Sequence, residues 1–300
     1  MVTYEAVKDR PKLFRALTSL DPSEFEELLV AFRAAWDEYR DSKNKERQRK
    51  PGGGRKPVLS TMEDKLLFIL FYFKTYPLQE VIALLFGMGQ SQSCVWIHEL
   101  STVLKMALDR MQHLPERAAH QVETVLAEDP ENEFALDGTE RRRQRPKDSI
   151  EQAKYYSGKK KTHTVKNNVI VTLKGRKVKY LSGTHEGKKH DKKICDEEQP
   201  TFPEGSTLYQ DTGFQGYAPE GVTIQQPKKK PRGGELSVEE KKQNALISGV
   251  RIVAEHVIGG IKRCRIVKDV FRNRKVGFDD SVMEIACGLH NFRTVCRAPT

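Results

Sequence analysis

The spacing of apolar residues divides the chain into a helical first part and a strand-rich second part. In DPSEFEELLVAFRAAWDEYR, Phe25, Leu28, Leu29, Phe32 and Trp36 recur at intervals of three and four, which lines one face of a helix. Residues 1–40 therefore read as a helical segment, with Asp21 or Ser23 as the N-cap and Pro22 in the first turn. From Leu59 the chain becomes apolar again. Ser60 followed by Glu63 has capping-box spacing ahead of KLLFILFYF, which predicts a largely buried helix. PLQEVIALLFG predicts a second helix, opening at Pro77 and closing at Gly87. GMGQSQSCVWIHELSTVLKMALDRM supplies a turn and then a third helix, led by Gln90, Ser91, Gln92 and Ser93.

After residue 130 the pattern changes. ENEFALDGTE holds a short apolar run that ends in Asp137, and HTVKNNVIVTLKGRKVKYLSG reads as an antiparallel hairpin turning at LKGRK. HDKKICDEE predicts a short helix, and STLYQDTGFQGY a short strand ending in Asp211. QQPKKKPRGGELS is a loop, a long helix starts at Ser237, and DDSVMEIACGLHNFRTV predicts a closing helix. Strand, hairpin, strand and then helices predict an α+β fold around a mixed sheet. Between the two parts, DSKNKERQRKPGGGRKP (41–57) has no large apolar residue and three consecutive glycines. It reads as a basic flexible linker, either laid along phosphates or simply a solvated tether. The expected organisation is thus 1–40 helical, 41–57 linker, 58–125 a three-helix region and 130–298 the α+β domain.

Charge narrows the partners. Among 300 residues, 52 are Lys or Arg and 41 are Asp or Glu, a formal net charge of +11. That excess favours a polyanion, and nucleic acid is the commonest. The longest apolar run, Leu66–Phe73, falls well short of the roughly 20 residues of a membrane span. MVTYEAVKDRPK lacks the apolar core of an export signal, so a cytoplasmic protein with no membrane partner is expected. The five cysteines are scattered without a CxxC, which reads as reduced thiols and not as a structural zinc site.

Three groups of residues carry candidate chemistry. Two short helices, a Gly-containing turn and a third helix with a polar start form a helix-turn-helix layout. There Gln90, Ser91, Gln92 and Ser93 would face base edges, where Gln can read adenine; the same pattern also builds an ordinary three-helix bundle. Asp137 and Asp211 each follow a short strand and precede a Gly turn. Carboxylates placed at one sheet edge can share divalent cations, although Asp before Gly is also common turn chemistry. On the long helix, Ser248, Arg251, Glu255 and Lys262 fall within about 60° of arc. Ile247, Val250, Val253, Ala254, Val257, Ile258 and Ile261 gather on another, core-facing side. Glu255 is then either half of a solvated Arg–Glu pair or a third metal ligand flanked by phosphate-binding cations.

Taken in order, LDGTE with Asp137, YYSGKKKTHTVKN, the pair His190-Asp191, YQDTGFQGY with Asp211 and VRIVAEHVIGGIK with Glu255 resemble the DDE transposases of bacterial insertion sequences and the related Harbinger-type nucleases. Arg251, Glu255 and Lys262 fit that family's Arg-x3-Glu-x6-Lys signature; a tyrosine often stands three residues before the arginine, where this chain has Ser248. LSTMEDKLLFILFYFKTYPLQEVIALLFGMGQSQS resembles the family's helix-turn-helix segment, so the resemblance spans roughly residues 59–298. It implies a ribonuclease-H-like catalytic domain whose triad, Asp137, Asp211 and Glu255, binds two divalent cations, normally magnesium with manganese able to substitute. It implies cleavage and strand transfer of double-stranded DNA, at terminal inverted repeats and target sites, by a homodimer at the bacterial nucleoid. Arg251 and Lys262 would hold phosphates near the cut. Lys159, Lys160 and Lys161, with Lys228, Lys229, Lys230 and Arg232 in the Pro/Gly loop, are further candidates for the DNA backbone. The rival readings are a DNA-binding protein that keeps the fold without the activity, and a nuclease that cuts without joining.

Overall fold

The computed structural model describes residues 1–44 and 57–298, which fall into two compact units. The first comprises residues 1–114, 262–269 and 281–300, and the second 115–261 and 270–280. The basic linker expected at 41–57 lies mostly outside the described residues. Among those residues, no helix is long and apolar enough to cross a membrane.

The first unit is helical. It contains α1 (Tyr4–Val7), α2 (Pro11–Thr18), α3 (Pro22–Asn44), α4 (Met62–Thr75), α5 (Gln79–Phe86) and α6 (Gln90–Arg110). Asp21 stands immediately before α3, and its backbone N–H donates to Glu24 at 2.7 Å, closing the helix entrance from the N3 position. The buried stripe is the expected one: Phe25, Leu28, Leu29 and Phe32 are 0–3% exposed. The cap of α4 differs from expectation. Thr61, not Ser60, accepts from the Asp64 N–H at 3.1 Å, because the helix begins one residue later than the Ser60–Glu63 spacing suggests. α5 ends at Gly87 with φ 69°, a left-handed C-cap that glycine adopts without a Cβ clash. Its start is Gln79, with Pro77 two residues upstream.

The second unit is built on a mixed sheet. In chain order it has α7 (Val122–Leu126), β1 (Glu133–Arg142), α8 (Ser149–Tyr155), β2 (Tyr156–Ser157), β3 (Thr162–Thr172), β4 (Val178–Leu181), β5 (His185–Glu186), α9 (Asp191–Glu198), β6 (Thr207–Gln210), β7 (Thr223–Gln225) and α10 (Val238–Ile261). The main path runs β2-β3-β1-β6-β7, with β4 and β5 also paired to β3. β1 is antiparallel to β3 and parallel to β6, and β6 is parallel to β7. This is the α+β arrangement that the hairpin and flanking strands predict, and the ribonuclease-H-like one that the resemblance implies.

Alternation gives each side of β1 a separate task. Phe134 and Leu136 join Ile170, Tyr180, Leu208 and Phe214 in one buried cluster. Ala135, Asp137 and Thr139 turn to the other side, where α10 packs on β1 and β6. α10 opens with a reciprocal capping box: Glu240 N–H donates to Ser237 Oγ at 3.1 Å, and Ser237 N–H donates to Glu240 Oε2 at 2.9 Å. Of the expected core face, Ile247, Ala254, Val257, Ile258 and Ile261 are buried, while Val250 and Val253 are half-buried.

Two further helices close the chain. α11 (Arg265–Lys268) packs on α4, and α12 (Phe278–Cys296) carries Val282, Met283, Ile285, Leu289 and Phe292, all nearly inaccessible. Within the first unit, the backbone of α12 at Gly288 approaches Leu108 and Leu114 so closely that an added Cβ would lie 2.8 Å from Leu114 Cδ2.

The buried cluster behind β1 sets a measurable expectation. Leu208→Ala, at a fully buried site, removes packing against Phe134 and Leu136 and should destabilise by about 2–5 kcal/mol. Leu84→Ala, at a residue 81% exposed, should stay within ~0.5 kcal/mol. Urea titration of the two variants followed by circular dichroism compares them.

Candidate active site

The β1–β6 register brings the first two acids together. Parallel pairing runs from Glu133↔Thr207 to Leu136↔Gln210, so the next residue on each strand is an aspartate. Neighbouring strands are about 4.8 Å apart, which sets Asp137 and Asp211 abreast. The sequence reading put both acids at strand ends, and this holds only for Asp211. Asp137 lies in the middle of β1, which continues to Arg142 because Gly138 to Arg142 remain paired with β3. What ends at Asp137 is the pairing with β6.

Each aspartate is held by a neighbouring glycine. Gly138 N–H donates to Asp137 Oδ1 at 2.8 Å, and Gly213 N–H donates to Asp211 Oδ1 at 2.7 Å. A Cβ at Gly213 would sit 2.7 Å from the same Asp211 oxygen, so only glycine leaves that carboxylate its place. Asp211 caps the short 3-10 turn Thr212–Phe214, and the Gln226 side chain donates to its carbonyl.

The electrostatics of Asp137 register the remaining members. Burial is the main cause that raises its pKa from 3.8 to about 6; Arg251 opposes the rise, and Asp211 and Glu255 add to it. Arg251 and Glu255, one turn apart on α10, are therefore close enough to act on the half-buried aspartate. Glu255 is exposed on the α10 surface while Ala254 and Val257 beside it are buried. The donor set is all hard carboxylate oxygen, which suits magnesium or manganese, and a cation there would relieve the like-charge repulsion that Asp137 feels. Among the described residues, no three His, Cys, Asp or Glu side chains already converge on one ion position.

Other predicted residues take varied places. Ser93 is completely buried, and its hydroxyl donates to the Gln90 and Gln79 carbonyls at 2.9 and 3.2 Å. It packs the helix-turn-helix and has no surface to offer DNA, which removes it from the base-reading set. Gln90 is half-buried, with its side-chain amide donating to Gln79; Ser91 and Gln92 are exposed. Lys159, Lys160 and Lys161 lie exposed on the turn between β2 and β3. In the Pro/Gly loop, Lys228 and Lys230 pair with Glu240 and Glu235 at 3.1 and 3.2 Å, and Lys229 and Arg232 are exposed. Lys262 falls one residue past α10, among residues that group with the first unit. His190 caps α9, its ring nitrogen accepting from Lys192 N–H at 3.3 Å, where side-chain preference alone favours an aspartate such as Asp191. Asp191 instead pairs with Lys166 at 3.2 Å and lies against Gly138, where a Cβ would meet its Cγ at 3.0 Å.

RRRQRPK (141–147), which follows the first acid closely, has no apolar periodicity to mark it as functional. Arg141 is buried, and its guanidinium donates to Asn167 Oδ1 at 2.8 Å and the Asp279 carbonyl at 3.0 Å. The density of cations in that run is the signal that marks the segment.

Paired aspartates on a ribonuclease-H-like sheet, with a glutamate on the helix packed across them, define a class, and comparison with known proteins assigns it. The family model described as DDE superfamily endonuclease matches residues 136–291, and the helix-turn-helix of DDE superfamily endonuclease matches 57–109. The chain belongs to the DDE superfamily endonucleases, a transposase-like family. It is similar to a "probable transposase for insertion sequence element IS702" from Microchaete diplosiphon, with 30% identity over 255 residues covering 85% of this chain and 88% of the relative. No solved structure matches the chain significantly.

The raised pKa of Asp137 predicts an unusual pH dependence. Its folded-state value lies above the unfolded one, so ionising it opposes folding increasingly as pH rises from about 3.8 to about 6. In chelator-containing buffer, Asp137→Asn should therefore raise stability at pH 8 by up to ~3 kcal/mol and change it little below pH 4. Denaturant midpoints at the two pH values check this; a variant less stable than wild type at pH 8 would show that the half-buried charge is compensated.

Proposed function

We propose that the chain is a DNA transposase that binds the ends of a mobile element and cuts and joins DNA with Asp137, Asp211 and Glu255. The observation that carries the reading is the β1–β6 register, which sets two carboxylates abreast under a helix bearing a third and an arginine. The three acids would hold divalent cations, magnesium or manganese, which when bound polarise phosphodiester oxygens and lower the pKa of water. The Gly138 and Gly213 amides fix the aspartates against rotation. Arg251 offsets part of the carboxylate charge and would hold a DNA phosphate near the cut. Hydrolysis breaks the P–O3′ bond, leaving a 3′-hydroxyl at the element's end and a 5′-phosphate on the flank. That hydroxyl then attacks a target phosphodiester in the same site, forming a new P–O3′ bond as the target's own P–O3′ bond breaks and releases a target 3′-hydroxyl.

Recognition belongs to the helix-turn-helix in this reading. Ser91 and Gln92, exposed on the first turn of α6, read base edges of the terminal inverted repeats. Lys159, Lys160, Lys161, Lys228, Lys229, Lys230, Arg232 and Lys262 supply backbone contacts, whose strength falls with salt as counterions compete. Two ends must be handled together, which a homodimer accomplishes, and the setting is the bacterial nucleoid.

Two experiments test the proposal with the full-length chain. Asp137→Ala, Asp211→Ala and Glu255→Ala should each abolish magnesium-dependent nicking of supercoiled DNA carrying the element, yet shift DNA affinity less than about threefold, since affinity resides in cations elsewhere. Near-wild-type nicking by any of the three would remove that residue from the triad. Loss of nicking with a pre-cut end still unjoined by the wild type would favour the nuclease reading, and no nicking by the wild type the purely binding one. Gln92→Ala should reduce discrimination between element-end and random duplex by about 1–3 kcal/mol, measured by competition binding. Because residues 262–269 and 281–300 group with the first unit, this measurement needs the whole protein.

A further inference from the structure

Beyond the carboxylates, the second unit holds a basic pocket that the catalytic reading does not use. The cavity has a volume of about 460 Å³, and Arg143, Arg145, Lys147, Arg274 and Lys275 line it with Asp279 as the sole acid. Volumes of roughly 300–1,000 Å³ are those of small-ligand sites. The two sequence segments that form it are joined by backbone hydrogen bonds: Phe271 N–H donates to the Arg142 carbonyl at 2.9 Å, and Gln144 N–H donates to the Phe271 carbonyl at 3.3 Å.

The cations are positioned without carboxylate partners. Arg143 lies over the Tyr155 ring, 3.9 Å from its centroid. Arg145 donates twice to Gln152 Oε1, at 3.0 and 2.7 Å. Arg274 and Lys275 are exposed, and among the described residues none of the five cations forms an ion pair. Five positive groups around one acid repel one another, which is unfavourable for folding; a bound polyanion removes the repulsion. The pocket also has apolar surface. Tyr155 and Phe271 line it, and Val276 at its rim is 98% exposed. Arg145 is shared with a second concavity that carries Lys188 and Tyr156, the latter 43% exposed. Interleaved cations and aromatic rings along a groove are the recognition pattern for unpaired strands, whose phosphates meet charge while their bases stack.

We propose that this pocket binds an unpaired DNA strand, seating one nucleotide against the Arg143–Tyr155 stack and its phosphates on Arg145, Lys147, Arg274 and Lys275. The proposal rests on the reading of the chain as a DNA-cutting enzyme, and it adds where a strand goes once separated. Arg143 lies six residues beyond Asp137 along extended chain and on the same side of it. That spacing is about 20 Å, or about six nucleotides at B-form rise. Strand opening is therefore expected about six nucleotides from the scissile phosphate.

The test uses the full-length chain in EDTA, so that no cleavage intervenes. The probes are a fluorescein-labelled duplex of roughly 30 base pairs with a single-stranded 3′ tail of about six nucleotides, and the same duplex with blunt ends. Wild type should bind the tailed duplex about tenfold tighter, the worth of one stacked base. Arg274→Glu with Lys275→Glu, both on the exposed rim, should erase that preference and leave blunt-duplex affinity within about threefold. The salt slope for the tailed probe should fall by about 0.7 for each phosphate no longer neutralised. Arg143→Lys, which keeps the charge but loses the planar stack, should reduce the preference and retain the slope. Equal wild-type affinity for the two probes, or equal losses on both in the rim variant, overturns the pocket and leaves the catalytic proposal standing. If nicking in magnesium proves independent of the triad while the tail preference persists, the catalytic reading fails and the strand site holds. Binding of neither probe overturns both.

Discussion

Like charges confined together repel, and removing water makes the repulsion stronger. The parallel pairing of β1 and β6 imposes that situation on Asp137 and Asp211, and α10 adds Glu255 with Arg251 as partial counterweight. The register is not free to relax. Phe134, Leu136 and Leu208 are buried on the far side of the same strands, and a slip of one residue would exchange that side for the one bearing the acid. Hydrophobic packing thus holds the carboxylates in a place that electrostatics alone would not choose. Local backbone amides soften the penalty, since Gly138 and Gly213 each donate to one oxygen.

Most of this was legible in the sequence, and the gaps have physical causes. Period-3.6 stripes marked α3 and α10 because a helix repeats its face over many residues, and the hairpin of β3 and β4 declared itself through two β-branched runs around a Gly turn. β1 was cut short at Asp137 because GTERR carries no apolar alternation; those residues are strand only through pairing with β3. β5 and β7, with two and three residues, likewise exist through their neighbours. Ser93 read as a surface residue because a polar helix start looks the same whether its hydroxyl meets solvent or two backbone carbonyls. Asp191 is the better cap on paper, yet the helix starts at Asp191 with its carboxylate paired to Lys166, and His190 stands at the N-cap.

The basic pocket was hidden for a different reason. RRRQRPK and RNRK are separated by more than a hundred residues, and a single bridge between Arg143 and Phe271 makes them one surface. Each run alone reads as a solvated stretch of charge. Only the backbone hydrogen bonds linking Arg142, Gln144 and Phe271 reveal that the cations surround a common space.

Residues 281–300 group with the helical unit that begins the chain, and α12 contributes Val282, Ile285, Leu289 and Phe292 to buried positions there. For a gene, this ties together two stretches of coding sequence that lie on either side of the acids. A premature stop ahead of codon 281 leaves all three acids encoded, yet it strips the opening helices of apolar surface they were folded around. Decay from the 3′ side therefore damages the helices encoded upstream of the acids before it reaches any acid. An intact set of three carboxylate codons is accordingly a poor sign of an intact fold; an intact α12 is a better one.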